Sequence, residues 1–223
     1  MNISDLTVGL LGGTGAEGRG LALRWAQTGA KVVIGSRSRE RAMAAAEDLN
    51  RILGEPTIGY DENSGVARGS AIILLSVPFE HATSTLEAHQ ADFRSDAIVV
   101  DATIPLTFEK GRVGYAEPPE GSGSEHLRKY LRPDIPLVAA FKTMPAHVLL
   151  DPGEPLQCDE FAAGDSKESK EFIMEAASFI SGLRMIDAGG LDAAGTLERM
   201  TALAVALNRR YKRKTSRFKV IGL

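Results

Sequence analysis

Hydrophobic positions in this chain fall in short unbroken runs rather than in alternation with polar ones. Thr7-Val-Gly-Leu-Leu11, Lys31-Val-Val-Ile34, Ala71-Ile-Ile-Leu-Leu-Ser76, Ala97-Ile-Val-Val-Asp101 and Leu137-Val-Ala-Ala140 are each almost wholly apolar. Successive side chains leave a strand on opposite faces, so runs of this kind describe strands buried on both sides. Between them lie stretches with helical spacing, Leu21-Ala-Leu-Arg-Trp25 and the alanine-rich segment from Arg39 to Ile52. Apolar strands alternating with helices predict an α/β fold: a doubly wound, mostly parallel sheet. The last third continues with a strand at Glu160-Phe-Ala-Ala163, a helix from Lys167 to Ser181, a strand at Arg184-Met-Ile-Asp187 and a helix from Ala193 to Tyr211. It reads as a small C-terminal α/β extension, residues 151–223 after a first unit of residues 1–150, that could extend the sheet or form a second domain. The stretch from Thr107 to Gly123, rich in Gly, Pro and charge, is expected to be a long irregular connection.

Bulk properties narrow the class. A chain of 223 residues buries a core without metal or disulfide staples. Cys158 is the single cysteine, which excludes an internal disulfide and points to a reducing setting. The opening Met1-Asn-Ile-Ser-Asp5 carries no basic stretch and no long apolar run follows it, so a cytoplasmic protein without a membrane span is expected. A formal net charge of −3 argues against a general nucleic-acid binder. Positive charge is nonetheless concentrated in Arg209-Arg-Tyr-Lys-Arg-Lys214, with Arg217 and Lys219 following. This is either a solvated helix end, whose cations complement the dipole, or a landing site for an anionic partner. No aromatic platform or amphipathic membrane face accompanies it, which disfavours RNA and lipid. No metal site is expected.

The chemistry is concentrated after the first strand. Gly13-Thr14-Gly15-Ala16-Glu17-Gly18 matches G-x-G-x-x-G, follows a predicted strand, opens a predicted helix, and is followed by a second strand. In that setting the pattern is a Rossmann dinucleotide fingerprint. Gly13 makes the tight turn, Gly15 lets backbone approach a pyrophosphate, and Gly18 lets helix and strand pack closely. The pyrophosphate meets unpaired N–H groups at the positive end of the helix dipole. A phosphate-binding P-loop is excluded, because Arg19 and Gly20 stand where Lys and Ser/Thr would be needed. NAD-binding chains place a carboxylate at the end of the second strand; this one has Gly35-Ser36-Arg37-Ser38-Arg39, with Arg41 one turn on from Ser38. Hydroxyl and guanidinium donors suit a 2′-phosphate, at about 1.5–3 kcal/mol per charge-assisted hydrogen bond. The nucleotide expected is NADP(H).

Gly12-Gly-Thr-Gly-Ala-Glu-Gly18, Gly35-Ser-Arg37, Ser76-Val-Pro-Phe-Glu-His81, Lys142-Thr-Met-Pro-Ala146, Gly164-Asp165 and Asp187-Ala-Gly-Gly-Leu191 occur in an order that resembles the NADPH-dependent reductases of the deazaflavin coenzyme F420. The resemblance runs from about Val8 to about Asn208. It implies hydride exchange between nicotinamide C4 and deazaflavin C5, with coenzyme F420 as co-substrate in a cleft beside the small C-terminal domain, in a homodimer. It also implies that Thr14, Ala16 and Glu17 line the pyrophosphate loop, that Ser36, Arg37 and Arg41 hold the 2′-phosphate, and that Val77, Pro78 and Ala146 flank the nicotinamide. The coenzyme's phosphodiester and glutamate tail would suit the basic C-terminus. Pro78 and Pro145 are candidate rigid walls just past strand ends, where open α/β sheets bind ligands.

One departure is Lys142, where the family frequently has His or Asn. A lysine there would stabilise an anionic deazaflavin, deliver its proton, signal another substrate, or simply face solvent beside the cleft; it is the one candidate catalytic side chain. His81 reads as a helix-start residue, and His126 and His147 as lesser candidates near the cleft. Hydride transfer needs mainly two rings held in close approach, which suits a chain without an obvious acid–base constellation. Two other functions fit the same fingerprint: reduction of an imine, keto acid, flavin or metal chelate, and a non-catalytic NADP(H)-sensing module.

Overall fold

The computed structural model describes residues 2–109 and 112–223. Met1 and the Lys110-Gly111 pair, the latter within the stretch expected to be irregular, lie outside the described residues. The first half follows the predicted rhythm: β1 (Thr7–Leu11), α1 (Ala16–Ala26), β2 (Lys31–Ser36), α2 (Arg39–Leu53), β3 (Ile58–Glu62), α3 (Asn63–Gly69), β4 (Ile72–Leu75), α4 (Phe79–His89) and β5 (Ile98–Asp101). A hairpin, β6 (Leu106–Glu109) and β7 (Arg112–Tyr115), and the short α5 (Gly123–Arg128) lead to β8 (Leu137–Ala139) and α6 (Ala146–Leu149). The remainder is β9 (Cys158–Ala163), α7 (Lys167–Ala177), β10 (Leu183–Gly189) and α8 (Ala194–Arg210).

Among the described residues, eight strands form one sheet in the order β10-β9-β8-β5-β4-β1-β2-β3. All neighbours are parallel except β8 and β9, which meet antiparallel at Ala139 and Ala163. The C-terminal segment therefore extends the same sheet. Each apolar run feeds two cores. Ile72 and Leu74 of β4 pack on one face with Leu21, Trp25 and Leu49. Ile73 and Leu75 pack on the other with Leu86, Leu127 and Leu197. Burial on both faces is the reason the runs do not alternate.

The stretch expected to be an irregular connection is in part regular. Leu106, Thr107, Phe108 and Glu109 pair antiparallel with Tyr115, Gly114, Val113 and Arg112 in a separate two-stranded sheet. Residues 116–122 carry no helix or strand before α5 begins.

Candidate functional site

β1 sits where the chain reverses direction across the sheet: β2 and β3 lie to one side, β4, β5 and β8 to the other. Ligands of open α/β sheets occupy the crevice at this switch point. Its floor is the turn from β1 into α1. Gly12 has φ +74°, and a Cβ there would meet Val77 Cγ1 at 2.1 Å, so the turn closes against Val77 only with glycine. A Cβ on Gly18 would come within 2.7 Å of Gly13 Cα and 2.8 Å of Ser76 Oγ. Gly18 thus allows the close helix–strand contact its place in the fingerprint predicts, and Gly13 N–H donates to Gly35 O at 3.1 Å.

Gly15 is different. A Cβ built on it meets nothing within 4 Å, and as the N-cap of α1 it supplies no side-chain acceptor. Three other helices are capped by serines, Ser38 Oγ accepting from Arg41 N in α2, Ser122 Oγ from Glu125 N in α5, and Ser166 Oγ from Ser169 N in α7, whereas α3, α4, α6 and α8, like α1, have no side-chain cap. The first-turn N–H groups of α1, with open space in front of them, have the form of a seat for an anion.

A cleft of about 550 Å³ opens over this turn. Of the residues expected from sequence, it brings together Thr14, Gly15, Ser36, Arg37, Arg41, Val77 and Pro78. Gly13, Ala16, Glu17 and Gly18 form the turn and first helical turn beside it, outside its lining. Ser36 closes β2, buried, and its Oγ accepts from Ser38 N at 3.3 Å. Arg37 and Arg41 are exposed at the cleft and make no ion pair among the described residues. Arg39 is spent on the fold instead: it pairs with Asp61 at 2.9 Å and stands 5.3 Å over the Tyr60 ring. The far wall comes from α4, whose His81, Ser84, Thr85 and His89 face the cleft. Burial lowers the pKa of His89, against the pull of Asp92. Sequence reading did not assign this wall, or Asn63, whose buried amide oxygen accepts from Gly12 N at 3.4 Å. Neither has a periodic signal.

Behind the switch point lies a buried ionic network. Lys142 Nζ donates to Asp101 at 2.9 Å and to Thr103 O, and pairs with Glu198 at 3.1 Å; all three charged side chains have 0% exposure. An ammonium has three N–H groups, and all three are engaged. Lys142 faces neither solvent nor the open cleft. Burial opposes its charge, but Asp101 and Glu198 outweigh burial and raise its pKa. Asp101 also accepts from Ser124 Oγ at 2.6 Å and Thr103 N at 2.8 Å. Glu198, on α8, accepts from Tyr115 OH at 2.7 Å and Gly123 N at 2.9 Å. On β9, Glu160 accepts from Lys142 N at 3.0 Å and Thr143 Oγ1 at 2.7 Å; burial pushes its pKa up to about 7 despite these donors.

Glu17, half-buried in the first turn of α1, lies within the electrostatic reach of this network. Burial pushes its pKa up to about 8; Lys142 pulls it down, while Glu160 and Asp101 push it further up. Ala146 opens α6, which packs on α1 so tightly that a Cβ on Gly20 would meet Leu149 Cβ at 2.4 Å. His126 bridges Thr83 of α4 at 3.2 Å and Glu120 at 3.1 Å, and His147 is exposed on α6. Among the described residues no three His, Cys, Asp or Glu side chains converge on a metal-sized site, and no helix is long and apolar enough to cross a membrane.

Comparison with known proteins places this geometry. Residues 7–105 match the family described as NADP oxidoreductase coenzyme F420-dependent. Over 228 residues, covering 100% of this chain and 98% of the other, the sequence is 34% identical to the F420-dependent NADP reductase of Methanothermobacter thermautotrophicus. Identity to the enzyme of the same name from Methanocaldococcus jannaschii is 34% over 224 residues, 98% of this chain and 99% of that one. The fold is shared with a crystal structure from Arthrobacter sp. FB24, provisionally described as an F420-dependent NADP-reductase, with a TM-score of 0.81 at 22% identity over 96% of this chain and 99% of that one. A NADP-bound pyrroline carboxylate reductase from Plasmodium falciparum shares it more loosely, with a TM-score of 0.55 at 14% identity over 83% of this chain and 59% of that one. With full-length identity at this level, the chain belongs to the F420-dependent NADP reductase family.

Proposed function

We propose that this protein is an oxidoreductase that passes a hydride between NADP(H) and the deazaflavin coenzyme F420. The observation that carries the choice of nucleotide is the unpaired Arg37 and Arg41 beside an uncapped, glycine-opened helix start. Ser36, Arg37 and Arg41 are assigned the 2′-phosphate; the backbone of Gly13, Thr14, Gly15 and Ala16 is assigned the pyrophosphate. Val77, Pro78 and Ala146 are assigned the walls of the nicotinamide site. The two rings supply the redox chemistry themselves, so the chain's contribution is to bind, align and keep water from them. Lys142 has no free N–H to offer a ligand; we assign it to positioning, holding the loop that leads from β8 to Pro145 and Ala146. Residues 151–223 close the co-substrate side through α8, whose Glu198 and Thr201 bond to Lys142 at 3.1 and 2.6 Å. The working unit is a homodimer.

The decisive experiment is Arg37→Ala with both pyridine nucleotides. Loss of one charge-assisted bond, worth about 1.5–3 kcal/mol, raises the Kd for NADPH about 10- to 100-fold and leaves that for NADH within about 2-fold. Equal loss for both removes the 2′-phosphate assignment. Mixing protein, NADPH and oxidised coenzyme F420 bleaches the deazaflavin band; tight NADPH binding without bleaching would instead identify a sensing module or a reductase of another acceptor.

A further inference from the structure

The carboxyl ends of four neighbouring strands stand level at one rim of the sheet. Leu11 of β1 pairs with Leu75 of β4, Leu75 with Asp101 of β5, and Asp101 with Ala139 of β8. The loops leaving these strands therefore lie side by side, at the rim where open α/β sheets meet their ligands. With Ser36, Arg37 and Arg41 assigned the adenosine end on the β2 side, the nicotinamide end extends past Val77 and Pro78 toward the loop after β8. That loop, residues 140–145, delivers Pro145 and Ala146 to the start of α6. Through Leu149 and Gly20, α6 in turn packs against α1.

The loop is bent into a shape its residues do not prefer. Phe141 has φ +59°, a left-handed conformation that is an outlier for so bulky a side chain. Of the three non-glycine residues with positive φ among the described residues, Gln157 and Lys212 are exposed and Phe141 is buried. Its ring meets that of Trp25 of α1 edge to face, with centroids 6.0 Å apart. The two residues after it are tied by side chains from β9 and α8. Lys142 N and Thr143 N donate to Glu160 at 3.0 and 3.3 Å, and Thr143 Oγ1 donates to the same carboxyl at 2.7 Å. Lys142 O accepts from Thr201 Oγ1 at 2.6 Å. Glu160, Thr143 and Thr201 are all buried, and both Glu160 oxygens serve the loop. A buried carboxyl carries a desolvation penalty that an apolar residue in the same strand would avoid. Strained backbone persists only where its surroundings over-determine it, and it collects at functional sites.

We infer that Glu160 is a positioning residue for hydride transfer: through Lys142 and Thr143 it holds the left-handed turn at Phe141, and that turn sets Pro145 and Ala146 against the nicotinamide. The inference rests on the nucleotide site and the co-substrate proposed above. Glu160 touches no reacting atom; it acts through the backbone of the loop. With the tie intact, the wall behind the nicotinamide is stiff. With the tie cut, the turn relaxes toward right-handed or extended backbone, and Pro145 and Ala146 shift with it. A displacement of about 1 Å can slow a reaction between two positioned rings about 100-fold. The adenosine anchors, Arg37 and Arg41, lie on the β2 side of the sheet and keep their hold on the nucleotide.

The test is single-turnover mixing of the whole protein with NADPH and oxidised F420 at pH 8, above the value of about 7 to which burial raises Glu160. Titration with NADPH counts the competent sites, so that rates are read per site. Glu160→Gln keeps the volume but points an amide N–H2 at groups that are themselves donors. It should slow hydride transfer about 10- to 100-fold and leave the Kd for NADPH within about 2-fold. The isotope effect of C4-deuterated NADPH on kcat should rise as transfer becomes limiting. Thr143→Val, which removes one hydrogen bond, should slow transfer about 3- to 10-fold. The E160Q/T143V double variant should be no slower than E160Q, since Thr143 acts through Glu160. A merely structural Glu160 would lower the melting temperature and the count of competent sites, with the rate per site and the isotope effect unchanged; that result overturns the inference and leaves the nucleotide site intact. An equal loss of NADPH affinity and rate overturns it too, because the tie would then serve binding as a whole. A wild type that binds NADPH but passes no hydride to F420 removes the proposed activity, and the inference with it. Should E160Q not fold, Thr143→Val and Thr201→Val decide, and unchanged rates per site in both overturn the inference.

Discussion

Lys142 sits in a buried cage, and its neighbours make its removal costly. Lys142→Met leaves Asp101 and Glu198 facing each other without a counter-charge, at a cost of about 3–5 kcal/mol. Urea unfolding should show this as a lower midpoint at unchanged slope. The same group of residues sets a pH dependence. Glu160 and Glu17 hold protons more tightly in the folded protein, with pKa values pushed to about 7 and about 8 from 4.5. Between 4.5 and those values the native state binds protons that the unfolded chain lacks, so stability falls as pH rises through the window and levels off above it. Lowered carboxylates such as Glu120, at about 2, and Asp159 act oppositely and lose their contribution only as pH falls below the ordinary carboxylate range. The ligand-free protein should therefore melt lower at pH 8 than at pH 5, and E17Q should remove the part of the fall above pH 7. At this scale the sequence was legible only in part. Arg37 and Arg41 stand out because a carboxylate is missing where NAD binders have one. Lys142 stands out too, but its partners Asp101 and Glu160 lie 41 and 18 residues away, and no local pattern shows that the lysine is enclosed.

The parallel strands β1, β2, β4, β5 and β8 are plain in the sequence because burial on both faces leaves no polar position to blur them. β3 is not, because it is the sheet's edge and its Ile-Gly-Tyr-Asp-Glu has one buried side chain. The hairpin of β6 and β7 was obscured by the glycine, proline and charge around it, although Leu106-Thr-Phe-Glu109 does alternate. Arg24 shows how elements are tied by side chains that a helical wheel assigns to the core for the wrong reason. It is 2% exposed, and its guanidinium donates to the carbonyls of Leu149 at 3.0 Å, Val148 at 2.7 Å, Glu154 at 2.9 Å and Asp151. It thereby caps the C-terminal carbonyls of α6 and pins the loop to β9 against α1. Arg24→Met keeps the buried volume but orphans these acceptors. With hydrogen bonds to charged groups worth about 1.5–3 kcal/mol each, the loss should reach at least about 3 kcal/mol. Protection of the Val148–Glu154 amides from hydrogen exchange should collapse before that of β1 or β4.

Across the whole molecule, the sheet carries two separate positive addresses on a chain whose net charge is −3. One is Arg37 and Arg41 at the end of β2. The other is the exposed run at 209–214, which starts in the last turn of α8 and continues past its end. Beyond that run, Asp159 N donates to Phe218 O at 2.9 Å, Val220 N donates back to the Asp159 carboxylate at 2.5 Å, and Arg184 grips the same carboxylate at 2.6 Å. Phe218 and Val220 pack against the core, so the basic run is held between α8 and a docked end. A fixed, exposed, like-charged patch raises the encounter rate of an anion without adding much affinity, and salt shortens its reach from about 10 Å at 0.1 M to about 3 Å at 1 M. If this patch guides the anionic tail of F420, kcat/KM for the coenzyme should fall steeply with salt. The triple change Lys212→Glu, Arg213→Glu and Lys214→Glu should then lower it about 10-fold at low salt, flatten the slope, and spare KM for NADPH, whose anion address is Arg37 and Arg41. The opposite result, an unchanged coenzyme rate and slope, would make residues 209–214 a solvated helix end complementing its dipole, and would leave selection by charge to Arg37 and Arg41 at the switch point.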